Sequence, residues 1–179
     1  LVYNKAKGYG KETLMGEKTL TNLRDAFAGE SQANRKYLAF AAKAEREGYA
    51  QVARLFRAAA ESETVHALKH LNVMKGVGST PDNLNAAING ETYEFEQMYP
   101  GMIRDAEAEA EKGARISFWN ANEVEKEHAV LFKQALEALG SNDAVEYWIC
   151  GNCGHVHLNE APEKCPVCQA PKSMFKKID

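Results

Sequence analysis

Cysteine is missing from the first 149 residues of this 179-residue chain, and all four cysteines then fall between positions 150 and 168. That absence excludes a disulfide-stapled scaffold for most of the chain. Proline is scarce as well: residues 18–139 contain only Pro81 and Pro100, so long helices can run with few interruptions. No apolar run approaches the ~20 residues needed to cross a bilayer, and no membrane is expected. A basic face is also lacking. The 22 Lys and Arg are interspersed with 25 Asp and Glu, for a net charge of −3, so nucleic acid is not an expected partner. Residues 1–11 are polar, glycine-containing and basic, unlike a signal peptide. Free thiols without an export signal make a reducing cytoplasm the expected location.

What is present over residues 18–139 is Ala, Glu, Lys, Leu and Arg with few β-branched residues, the composition of helix. Four segments can be cut out. The first covers residues 19–47 and is stopped by Gly48; the second covers 49–76. The third opens with Thr80 as N-cap and Pro81 in the first turn and reaches Lys112 before Gly113. The fourth covers 114–139, with Gly140 as C-cap. The very short turns at Gly48 and Gly113 make segments one and two, and three and four, antiparallel neighbours. The fold class expected is therefore mainly α, a four-helix bundle over residues 1–140. A polar linker over 141–146 leads to a small domain over 147–179, where Gly, Pro and Cys replace the helix formers.

In that last domain Cys150 and Cys153, then Cys165 and Cys168, form two C-x2-C pairs separated by eleven residues. Two such knuckles offer four thiolates to one metal, a tetrahedral sulfur site suited to iron or to zinc. The alternative, a disulfide pair, suits neither the compartment nor the cysteine-free remainder.

The helical part carries one phrase twice: Glu63-x-x-His66 and Glu125-x-x-His128. Residues three apart share a helix face. The other two helices carry Glu30 in Ala-Phe-Ala-Gly-Glu-Ser, and Glu91 and Glu94 in Gly-Glu-Thr-Tyr-Glu. Two hairpins, each giving a Glu and then Glu-x-x-His, match the ligand recipe of a two-metal carboxylate site in a four-helix bundle. Any one Glu among 25 acidic residues reads as a solvated helix face, but the joint pattern does not. Two hard dications need anionic oxygens, bridging carboxylates and terminal imidazoles. Whether Glu30 corresponds to Glu91 or to Glu94 is left open by spacing; the simplest resolution makes both ligands, seven in all. Tyr37 and Tyr99 could face the metals as hydrogen-bond donors or be plain core aromatics. His70 is read as a packing or surface residue, and His155 and His157 as exposed loop residues.

These stretches resemble the rubrerythrin family over nearly the whole chain. The resemblance rests on residues 26–32 around Glu30, Glu63-x-x-His66, Gly90-Glu91-Thr92-Tyr93-Glu94 with Met98-Tyr99-Pro100, and Glu125-x-x-His128. The tail from Ile149 to Cys168 looks like rubredoxin. The resemblance implies a ferritin-like bundle followed by a rubredoxin-like domain. It implies a non-haem di-iron peroxidase that reduces hydrogen peroxide to water in oxidative-stress defence. Its cofactors would be two irons bridged by carboxylates and one iron on four cysteines, with zinc as a possible substitute. Electrons would come from a reduced rubredoxin-like carrier or an NAD(P)H-dependent reductase. By the same match Glu63 and Glu125 bridge, Glu91 and His128 hold one iron and Glu30 the other, which exchanges Glu94 for His66 between oxidation states.

Spacing adds an expectation about assembly. In a ferritin-like bundle helices two and three run the same way, so the chain between them must travel the bundle's length. That gap is about 30 Å, whereas the few residues between residue 76 and the Thr-Pro cap reach at most ~14 Å. Either residues 77–89 are extended, or hairpins are exchanged in a domain-swapped homodimer. The cap favours exchange. Rival functions are a ferroxidase or iron-storage protein of the ferritin class, and an electron carrier or zinc-stabilised binding module.

Overall fold

Helix α1, Glu17–Arg46, ends where its sequence reaches Gly48, at φ +84. The Gly48 and Tyr49 N–H groups fold back onto the Glu45 and Ala44 carbonyls, satisfying acceptors that the last turn leaves open. A computed structural model describes residues 15–179 of the chain; the polar segment 1–11 lies outside them. Helix α2, Ala50–Val73, closes in the same way: the Lys75 and Gly76 N–H groups return to Asn72 and Leu71.

The chain divides into two compact units, Leu1–Val77 and Gly78–Asp179. In the first, α1 and α2 form the antiparallel hairpin expected from the Gly48 turn. Its seam is made of small residues: Ala41 and Ala44 on α1 and Ala53, Ala60 and Ala67 on α2 are buried. The heptad spacing on α2 keeps one narrow stripe against the partner helix. Asn34 Nδ2 crosses the seam to the Ala60 carbonyl at 2.7 Å and to Thr64 Oγ1 at 2.9 Å. Large apolar side chains stay exposed on this hairpin, among them Leu38, Phe40, Leu55, Val65 and Leu68.

The second unit begins with α3, Thr80–Tyr93. Its N-cap is Ser79 rather than Thr80, because the Ser79 hydroxyl accepts from the Asp82 N–H while the Asp82 carboxylate accepts from the Ser79 N–H. That reciprocal box places Pro81 inside the first turn, where its missing N–H costs nothing. The third segment is not one uninterrupted helix. A π-turn over Glu94–Met98 separates α3 from α4, Tyr99–Ala108. Nor does it reach Lys112. Ala110, at φ +58, takes the left-handed position after α4, and the Glu111 N–H returns to the Ala106 carbonyl. Gly113 therefore lies inside α5, Lys112–Glu137, and is not the turn residue. Helices α3 and α4 both pack on α5, where Ala106, Val124 and Ala129 are buried.

The second unit also contains the change of chain character at Tyr147. Strands β1, Tyr147–Cys150, β2, Val156–Leu158, and β3, Phe175–Ile178, form an antiparallel sheet in the order β2-β1-β3. Its core is Cys150, Ala161, Cys165 and Phe175, flanked by Trp148, Val167 and the other two cysteines. Half of that core is metal-ligand chemistry, so a module this small has little else to hold it. No described helix is long and apolar enough to span a bilayer.

Replacing Ser79 with Ala removes one half of the capping box. The urea midpoint of the second unit should fall by the equivalent of about 1 kcal/mol, while S79T should retain most of it.

Candidate metal centres

Each helical unit brings together its own share of the predicted ligands. In the first, ligand atoms of Glu30, Glu63 and His66 lie within 4.8 Å of one another; in the second, those of Glu91, Glu125 and His128 do the same. The i,i+3 spacing acts alike in both. His66 Nδ1 sits 3.0 Å from Glu63 Oε2, and His128 Nδ1 sits 2.7 Å from Glu125 Oε2. Glu91 Oε1 approaches His128 Nδ1 at 3.8 Å. The two clusters differ in exposure: the His66 side chain is 52% exposed and that of His128 26%. Glu94, at the start of the π-turn, is outside the tight group but close enough to act on Glu91 and Glu125 by its charge. A π-turn inserts one residue into the helical repeat. Here it begins at Glu94, one of the two helix-three carboxylates between which spacing could not choose.

Electrostatics marks the second cluster as built for a cation. Burial, a hydrogen bond to Glu125 and that neighbour's charge push the Glu91 carboxyl up to about 7. Burial also raises Glu125, with the Glu94 charge adding to it. Carboxylates gathered out of water resist ionising together, and a bound dication removes the resistance. Tyr99 belongs to this environment. Burial and the charges of Glu125, Glu94 and Glu91 raise its phenol, and its ring lies 6.4 Å from that of Phe118. Tyr37 is a packing aromatic, with ring centroids 6.3 Å from Phe40 and 6.1 Å from Phe56. His70 is half-buried near the end of α2.

The four cysteine sulfurs form the third cluster, again within 4.8 Å of one another. Cys150 and Cys168 Sγ are 3.7 Å apart, and Cys153 and Cys165 Sγ 3.6 Å. All four are free thiols, and the separations far exceed a disulfide bond of about 2.05 Å. Each knuckle is followed by a left-handed residue, Gly154 at φ +88 and Gln169 at φ +62, which turns the chain back over the thiols. The Cys150 N–H donates to the His155 carbonyl and the Cys165 N–H to that of Ala170. Burial raises the Cys153 and Cys165 thiols. For Cys168 burial is outweighed by hydrogen bonds from Asn152 and the Ala170 N–H, and its thiol is pulled down to about 7. A tetrahedral thiolate site for iron or zinc fits this donor set.

Two histidines read as exposed loop residues lie elsewhere: His157 is half-buried within β2, and His155 is only 5% exposed, with its Nδ1 on the Glu127 carboxylate of α5. The partners stand 28 positions apart, and no local pattern links them.

Both parts of the chain match one family of known proteins. The Rubrerythrin family profile matches residues 21–136, and that of the rubrerythrin rubredoxin-like domain matches residues 148–176. The chain belongs to the rubrerythrin family. It is 40% identical to Rubrerythrin-2 of Clostridium acetobutylicum over 171 residues, covering 86% of this chain and 93% of that protein. It is 35% identical to a rubrerythrin of Porphyromonas gingivalis, covering 96% of each. Among solved structures, nigerythrin in its partially reduced state superposes with a TM-score of 0.55 at 35% identity, over 93% of this chain and 89% of that one. The fold class is thus mainly α and ferritin-like, with a C-terminal rubredoxin-like domain.

Glu91 holds its proton more tightly folded than unfolded, so the metal-free fold gains stability from it. That gain is complete below its ordinary pKa of 4.5 and lost as pH rises through about 7. In metal-free protein the wild type should lose stability relative to E91Q across that window in thermal melts. Calorimetric titration with a divalent metal at pH 6 should release a proton that E91Q does not. Serine at any one of the four cysteines should abolish the four-thiolate visible spectrum after iron loading.

Proposed function

We propose that the chain is a non-haem di-iron peroxidase that reduces hydrogen peroxide to water, fed by its own four-cysteine iron centre. The observation that carries this reading is the pairing, in one chain, of two Glu/His clusters with a tetrathiolate cluster. Glu30, Glu63, His66, Glu91, Glu94, Glu125 and His128 would hold two irons, with Glu63 and Glu125 as bridges, and the cysteines a third. Two ferrous ions so bound would supply Lewis acidity and one electron each toward the O–O bond. Hydrogen peroxide takes two electrons and two protons and leaves as two waters. Tyr99, whose raised phenol keeps its proton at neutral pH, holds one at Oη facing Glu91, Glu94 and Glu125. The greater exposure of His66 suits the ligand that exchanges with Glu94. Electrons are expected from a reduced rubredoxin-like carrier or an NAD(P)H-dependent reductase, in a reducing cytoplasm.

The active form in this reading is a domain-swapped homodimer, each di-iron site taking Glu30, Glu63 and His66 from one chain and the remaining ligands from the other. Local geometry supports it. Residues 74–76 curl back onto α2, and α3 starts at Thr80, which leaves four Cα steps, about 14 Å of reach. The rise from His66 to Val73 plus that from Thr80 to Glu91 is about 27 Å. The exposed apolar side chains of the α1–α2 hairpin would be buried in such an assembly.

A ferritin-class ferroxidase would use the same carboxylates but has no need of a one-electron thiolate centre. Anaerobically reduced protein mixed with peroxide should reoxidise both centres within the mixing experiment, with one peroxide consumed per two electrons. Iron mineral accumulating under oxygen, with peroxide left unconsumed, would establish the storage reading instead. The swap has its own test, mixing E63A/H66A chains with E125A/H128A chains. Hybrid dimers regain one intact site if hairpins are exchanged and stay inactive if they are not.

A further inference from the structure

We propose that the His155 imidazole and the Glu127 carboxylate form a latch that seats the four-cysteine module on helix α5. Both residues belong to the second compact unit. On the module side the imidazole is fixed at every edge. Its ring meets Phe175 edge-on at 6.4 Å and 89°, Nε2 lies 3.2 Å from His157 Nδ1, and its own carbonyl accepts the Cys150 N–H at 2.9 Å. A neutral ring serves both nitrogens, Nδ1–H donating to Glu127 and Nε2 accepting from His157.

On the helix side Glu127 is free for this role. It lies two residues past Glu125, about 200° round the helix, so it points away from the Glu125 and His128 cluster. Lys126, the adjacent cation, is turned to Glu123. Among the described residues, β2 is the module strand that meets α5, and that contact is open on both sides of the latch. Next to the latch a cavity of about 550 Å3 opens between Val130 and Gln134 of α5 and Val156 and Leu158 of β2. A second, of about 460 Å3, separates His128 and Phe132 from Tyr147 and Ile178. With apolar packing interrupted at both places, a half-buried charge-assisted hydrogen bond carries the seating. It also links the loop of Cys150 to the residue beside His128, so both residues position the module without touching a metal or substrate. That consequence for electron delivery rests on the peroxidase reading; the latch itself does not.

The test uses full-length zinc-loaded protein and 15N relaxation. In E127A and in H155F, amides of residues 147–179 should tumble at least about twofold faster than in wild type, with zinc stoichiometry unchanged. E127Q, which keeps an acceptor oxygen but loses the charge, should fall between wild type and E127A. E127A lies outside the module and cannot unfold it, so wild-type tumbling in E127A overturns the latch even if H155F misfolds. In anaerobically reduced, iron-loaded protein, the peroxide-driven return of the ferric four-thiolate absorption should slow about tenfold in E127A at an unchanged potential of that centre. No return in wild type would instead overturn the peroxidase reading, while the tumbling result still judges the latch.

Discussion

Carboxylates drawn together away from water repel one another, and the helical part of this chain is organised around that repulsion. A helix can place Glu and His three apart on one face at no cost in backbone geometry. Two helices with small residues at their seam then bring a further Glu within reach. The result in the second unit is a carboxyl held near neutral pH by burial and by its neighbour Glu125. Such a cluster is stable only with a proton or a cation in it. The seam alanines, the cap at Ser79 and the aromatic support of Tyr99 by Phe118 keep the ligands converged when neither charge nor apolar burial favours it.

The thiolate module meets the opposite problem. It has too few residues to build a core, and its buried centre is largely Cys150, Cys165 and their surroundings. Its sheet is three short strands, so metal binding and folding are one event there. The bundle ligands are carried by long helices, whereas the knuckles depend on the ion they hold.

Much of this was legible in the sequence because it is local. The Glu-x-x-His pairs, the C-x2-C pairs and the Gly48 turn each act within a few residues, and each forms as expected. What escaped reading depends on competition or distance. Ser79 displaced Thr80 as cap because Asp82 completes a reciprocal box with it. Ala110 took a left-handed turn position that Gly113, three residues on, seemed better suited to fill. The burial of His155 requires Glu127 on another element, a pairing that no periodicity encodes. The π-turn is written in no residue preference at all.

That π-turn has a consequence for how the third helical segment can tolerate change. It acts as a phase shifter. Upstream, Glu91 is aligned with the ligands on α5; downstream, Ala106 is buried where α4 packs on the same helix. An unbroken α-helix would lock these two alignments to one 3.6-residue repeat. The extra residue uncouples them, so ligand side and packing side each keep their own rotation about the axis. A deletion of one residue within Glu94–Met98 would let the π-turn close to an α-turn with both alignments kept, whereas a deletion elsewhere in the segment would turn every side chain beyond it by about 100°.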